Sequence, residues 1–232
     1  MPTSSSASTQ FYSVSSFHDL VNSPFHGMIN AMCWSRELVG DFAEIAQKLK
    51  QFEDITVIDE EELMALSLSD KGILARDIIL NDLQLLRDYG AAPTLNLLKC
   101  YERDKENPVF PTDVYSFHID RSPIATDTFL CTYYGAVSDI VPNNQAVKKI
   151  LVPELRKILR NLFSGTDNDF DSFLIENFYD LHYQALPNAN IVNLGIGNLW
   201  RLAVDHPESK VLPCIHRAPK EKEGESRLLL IC

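Results

Sequence analysis

The chain has 232 residues, 45% hydrophobic and 23% charged, which suits one globular domain with a core of useful size. Its 21 Lys and Arg against 32 Asp and Glu give a formal net charge of −11, an acidic surface that argues against general nucleic-acid binding. No apolar run is long enough for a membrane span, and five widely spaced cysteines without a CxxC argue against a disulfide framework or zinc knuckle. No basic-then-apolar leader opens the chain, so the expected setting is a reducing cytoplasm with no membrane partner.

Residues 1–16 are rich in Ser and Thr and read as a flexible polar tail. Residues 17–93 read as a mainly helical support layer. In Arg36–Lys50 the residues Leu38, Val39, Phe42, Ile45, Ala46 and Leu49 recur at helical steps. A second helix is expected from Asp70, as its cap, to Tyr89, with Gly90 as its stop.

After Pro93 the pattern changes to strands: Thr94–Tyr101, Tyr115–Asp120 and Asp127–Tyr134. A charged amphipathic stretch from Gln145 to Phe163 reads as a helix broken or restarted at Pro153, and Asp169–Tyr183 as a second helix. The two form an insertion at about 145–185. Strands return at Ala189–Leu194, Asn198–Val204, Val211–His216 and Ser226–Ile231. Short strands with turn signals favour an α+β protein with a jelly-roll core over 94–232, and no βαβ alternation or phosphate-loop motif supports a nucleotide fold.

The chemistry concentrates in Phe117-His118-Ile119-Asp120. Residues i and i+2 of a strand share a face, so His118 and Asp120 project together as two ligands of one metal would. His216 ends a later strand and is the candidate third ligand. Two imidazoles and one carboxylate that leave open positions suit non-haem Fe(II). The bland alternative for His118 and Asp120 is a local hydrogen-bonded pair, since one HxD or HxE match is expected by chance. A second match, His206-Pro207-Glu208, is discounted because its proline and polar surroundings destroy the shared face. Arg227 follows His216 by eleven residues and leads the apolar strand Leu228-Leu229-Leu230-Ile231. Buried, it needs an anionic partner such as a carboxylate; otherwise it sits at an exposed strand entrance.

His118, Asp120, His216 and Arg227, in that order, resemble the pattern of the Fe(II)/2-oxoglutarate-dependent oxygenase superfamily. The flanks Thr132-Tyr133-Tyr134-Gly135, Gly197-Asn198-Leu199-Trp200-Arg201 and Ile215-His216-Arg217-Ala218-Pro219 look like an uncharacterised bacterial branch of it. The resemblance covers roughly Thr94 to Cys232. It implies a double-stranded β-helix, with Fe(II) held by His118, Asp120 and His216 as the catalytic centre. It also implies 2-oxoglutarate as co-substrate, anchored by Arg227, and hydroxylation of a small-molecule or protein substrate of unknown identity. Tyr133 and Tyr134 are candidates for binding the co-substrate carboxylate, with core packing as the alternative. Two further readings remain: a non-catalytic jelly-roll ligand-binding module, and a cupin-like metalloenzyme that does not use 2-oxoglutarate.

Overall fold

A computed structural model describes residues 10–105, 109–220 and 224–232. The chain runs through β1 (Phe11–Val14), α1 (Phe17–Asn22), β2 (Ala31–Trp34), α2 (Phe42–Lys48), β3 (Ile55–Ile58), α3 (Glu60–Ala65) and α4 (Asp70–Tyr89). It continues through β4 (Thr94–Leu98), β5 (Phe117–His118), β6 (Asp127–Tyr134), β7 (Asp139–Val141) and β8 (Ala146–Lys148). Then come α5 (Pro153–Leu162), α6 (Phe170–Glu176), β9 (His182–Ala185), β10 (Val192–Asn193), β11 (Leu199–Ala203), β12 (Ile215–Arg217) and β13 (Arg227–Ile231).

These elements form a mixed α+β fold with two curled sheets. The larger has the order β1-β2-β11-β6-β13-β4-β3 and the smaller β10-β7-β12-β5-β9-β8. Pairing is antiparallel except between β1 and β2. Strand alternation sorts the larger sheet's side chains onto two faces. On one face, Phe129, Cys131, Tyr133, Leu228 and Leu230 join Phe42, Ile45, Ala75, Ile79, Leu83 and Leu86 of α2 and α4 in the main core. On the other, Leu130, Trp200, Leu202 and Leu229 meet Ile140 and Cys214 from the smaller sheet's side. Leu86 is fully buried, and truncating such a residue to Ala costs about 2–5 kcal/mol.

The helix α4 owes its length to its two ends. Ser69, rather than Asp70, is the cap: its Oγ accepts from the Gly72 N–H at 3.2 Å. Gly90 ends the helix at φ 96°, a left-handed conformation that side chains resist, and its N–H satisfies the last carbonyls. Gly135 is needed for closeness as well. A Cβ there would lie 2.5 Å from the Ser226 carbonyl oxygen and 2.9 Å from the Arg227 Cα, so only glycine lets the chain pass β13 at Arg227.

Several expectations need correction. Residues 10–16 do not belong to a tail. Gln10 is buried and bonds Asn30 and Asn143, Phe11–Val14 pair with Ala31–Trp34, and Ser16 caps α1. Residues 1–9 lie outside the described residues. The supposed helical layer over 17–93 also supplies β2 and β3, which with β1 extend the larger sheet at both edges. Within 145–185, Pro153 starts α5, the restart alternative, but β8 occupies Ala146–Lys148 before it, and the expected helix to Tyr183 stops at Glu176. There Phe178 turns left-handed and the chain enters β9.

Candidate metal centre

Two strand pairings build the site. β12 lies antiparallel to β5 with His216 opposite His118, and β9 lies on the other side of β5 with His182 opposite His118. Three histidines therefore stand in a row across three adjacent strands. The neighbours of His118 and His216, Phe117, Ile119 and Ile215, pack on the other face of the smaller sheet in a cluster with Val141. Cys214, two residues before His216, packs between the sheets, so the histidine row faces the inter-sheet space.

The His118 and His216 rings are 4.5 Å apart, centroid to centroid. The His118 Nδ1 meets the Ser116 carbonyl at 2.8 Å, and the His216 Nδ1 meets the Cys214 carbonyl at 3.2 Å. A carbonyl only accepts, so each Nδ1 carries the proton and each Nε2 presents a lone pair. Both Nε2 atoms converge on Asp120, at 4.0 Å from its Oδ1 for His118 and 3.6 Å from its Oδ2 for His216. The ligating atoms of His118, Asp120 and His216 all lie within 4.8 Å of one another. The side chains of the two histidines are 13% and 12% exposed against 37% for Asp120, so the group opens to solvent on the carboxylate side.

Electrostatics suits a cation. Burial, then the neighbouring His216, push the His118 imidazole down to about 4, which leaves it neutral and able to ligate. Burial alone would raise the Asp120 carboxyl. His216, the Thr128 hydroxyl, which donates to Oδ2 at 2.6 Å, and His118 outweigh it and hold the group below its ordinary value. The next residue, Arg121, fixes the end of the segment by pairing with Asp205 at 2.9 Å and Asp180 at 2.5 Å. Two imidazole nitrogens and one carboxylate fit a divalent first-row metal with open positions.

Arg227 is 5% exposed, which removes the exposed-entrance alternative. Its Nη2 donates to Thr132 Oγ1 at 3.1 Å and Ser138 Oγ at 2.8 Å, tying β13 to β6 and to the segment leading into β7. Tyr133 is withdrawn from co-substrate binding. It lies on the helix-covered face, stacks on Phe42 and donates its hydroxyl to Asp82 Oδ2 at 2.6 Å. Tyr134 packs at the border of the same main core. Trp200 is buried between the sheets with its Nε1 on the Leu194 carbonyl. Arg201 pairs with Asp127 and three backbone carbonyls. His206 lies in a separate, larger cleft of about 760 Å³ with Phe25, Tyr89 and Arg201.

The residue that sequence reasoning missed is His182. It is 4% exposed, its ring is 5.9 Å from that of His118, and burial followed by His118 and Lys149 pushes it down to about 3. Reading Asp169–Tyr183 as a helix hid it. The alternation of Leu181 and Tyr183 against His182 and Gln184 is the period-two signal that marks a strand there.

Among the described residues, no helix is long and apolar enough to cross a membrane. The five cysteines form no disulfide, and Cys33, Cys131 and Cys214 are buried. No family model, no curated protein and no solved structure matches this chain.

Proposed function

We propose that the chain is a non-haem Fe(II)- and 2-oxoglutarate-dependent oxygenase on a double-stranded β-helix. The convergence of His118, Asp120 and His216, with both imidazoles turned Nε2-first toward the carboxylate, carries the reading. The strand order supports the fold. Among the strands that follow α4, β4, β6, β11 and β13 lie in the larger sheet and β5, β7, β10 and β12 in the smaller, where β8 and β9, on either side of α5 and α6, add two more at its edge. The ligands come from β5 and its continuation and from β12, which are neighbours, as the order of a double-stranded β-helix requires.

Bound there, Fe(II) would supply the activation of dioxygen, with 2-oxoglutarate as the reductant that is decarboxylated to succinate. The chain's own residues have simpler tasks. His118 and His216 offer their Nε2 lone pairs, Asp120 offers the compensating charge, and Thr128 orients that carboxylate. Arg227 is the proposed anchor of the co-substrate's far carboxylate, held in place through Thr132 and Ser138. Its planar fork suits two parallel hydrogen bonds to a carboxylate.

The test is anaerobic titration of Fe(II) and then 2-oxoglutarate, followed by the charge-transfer absorption of the complex. His118→Ala should abolish iron binding. Arg227→Lys should keep iron but weaken 2-oxoglutarate binding by roughly 1–3 kcal/mol, the size of a charge-assisted hydrogen bond. Equal 2-oxoglutarate affinity in wild type and Arg227→Lys removes Arg227 from this role. Iron binding without any 2-oxoglutarate complex leaves a metal site with a different co-substrate.

A further inference from the structure

The triad opens into a cavity of about 270 Å³ that His118 and Asp120 share with His182, Leu181, Val114 and Phe178. The other polar side chains on its wall are already engaged. Thr112 donates its hydroxyl to Asp104. Asp113 accepts from the backbone N–H groups of Asp104 and Tyr115. Arg121 is held by Asp180 and Asp205. His182 is different. Its Nδ1 is buried without a hydrogen-bond partner, and its Nε2, which is not enclosed, bonds no protein group among the described residues. Buried polar groups are nearly always satisfied, so an imidazole 4% exposed with neither nitrogen used calls for an explanation.

Phe178 is the second anomaly on the same wall. It is a bulky residue at φ 60° and ψ 12°, a left-handed conformation that side chains disfavour, and it is 61% exposed. Strain of this kind persists only where the surroundings impose it, and it clusters at ligand sites. Here it holds an aromatic face at the lip of the cavity instead of in the core. The cation on this wall, Arg121, is already paired, and the carboxylates of Asp113 and Asp120 repel an anion, so beyond the triad the cavity offers one unused hydrogen-bonding ring, an apolar wall and one aromatic face.

We propose that this cavity binds a small uncharged aromatic molecule carrying one hydrogen-bonding group, its ring against Phe178 and its polar atom on His182 Nε2. That this molecule is the substrate rests on the oxygenase reading; that it binds does not. The volume suits a ring system of one or two rings, near the small end of ligand pockets.

Fluorine NMR with three probes tests the proposal on the full chain: para-fluorophenol, fluorobenzene and para-fluorobenzoate. The phenol should bind saturably and about tenfold more tightly than fluorobenzene, the worth of one hydrogen bond, and the benzoate should bind worst of the three. His182→Phe should erase the preference for the phenol over fluorobenzene. His182→Gln, which keeps a polar group, should retain part of it and serves if the Phe variant does not fold. Phe178→Ala should weaken both uncharged probes together. Absence of saturable phenol binding to the wild-type protein, an unchanged preference in both His182 variants, or tightest binding of the benzoate overturns the proposal. Co(II) binding, read from its visible spectrum on the same samples, reports separately on the metal site. Its failure would remove the oxygenase reading while leaving the probe result to stand or fall by itself.

Discussion

Two buried polar clusters sit on different faces of this fold, and they differ in how far they are completed. Under the helices, Asp82 is fully buried on α4. It accepts from Arg36 Nη1 at 2.7 Å, Arg36 Nη2 at 2.5 Å and the Tyr133 hydroxyl at 2.6 Å. Arg36 Nε goes to the Gly197 carbonyl, which links the layer to the turn before β11. Asp82 raises the Arg36 guanidinium against the opposing pull of burial. In the inter-sheet space, His118, His216 and Asp120 satisfy only part of their capacity, and His182 satisfies none. A closed network of this kind rigidifies and binds nothing further, while an open one is costly unless something completes it. The first cluster holds the helical layer on the sheet. The second is where we propose that a ligand binds.

The comparison breaks most visibly at Asp82. Asp82→Ala strands a buried guanidinium and a buried phenol, so unfolding in urea should show a loss of about 3–5 kcal/mol. Co(II) affinity of the folded protein should not change. A loss below about 1 kcal/mol would mean that the two clusters are energetically alike.

Asp120→Ala should do the reverse. In the metal-free protein it removes a partly exposed carboxylate from beside His118 and His216, and stability should move by less than about 1 kcal/mol. Co(II) affinity should fall by more than the ~10–100-fold typical of losing an outer hydrogen-bond partner. His206→Ala, in the separate cleft, should leave that affinity unchanged. If it matters as much as Asp120→Ala, the ligand set is misassigned.

A smaller, graded effect sharpens the contrast. Against 6.5 in the unfolded chain, His118 is pushed down to about 4 and His182 to about 3. Below pH 6.5 the unfolded state therefore binds more protons than the folded one. The stability from these rings is fully present above pH 6.5 and is lost as pH falls through 4 and then 3, by at most about 1.4 kcal/mol per pH unit per ring. Urea unfolding of metal-free protein at pH 7, 5.5 and 4.5, compared with His182→Phe, isolates one ring. The variant should lose less stability on acidification than the wild type, and equal slopes would show that His182 is not held neutral by burial.

Local rules made part of this legible. The cap, stripe and glycine stop of α4, the alternation in β6 and the apolar run of β13 are short-range signals, and they placed those elements within a residue or two. The i, i+2 spacing put His118 and Asp120 on one face for the same reason. His182 needed the opposite judgement on Asp169–Tyr183, where helical and strand periods overlap and the change comes at Phe178. Tyr133 was misplaced because alternation separates two faces without saying which is the inner one. Only Asp82, 51 positions away, reveals that. The partial burial of residues 10–16 was invisible because Gln10 and Ser16 are polar residues satisfied by distant or cap partners, which composition cannot register.

One detail of the site bears on its inheritance. Both ring orientations are set by carbonyls two residues earlier in the same chain, at Ser116 and Cys214. Those acceptors are main-chain atoms, so no substitution at Ser116 or Cys214 deletes them. Side chains around the cavity can drift toward other ligands while the two imidazoles keep their aim. A lineage carrying this chain can therefore diversify what the pocket admits without having to rediscover how to present two nitrogens and a carboxylate to the same point.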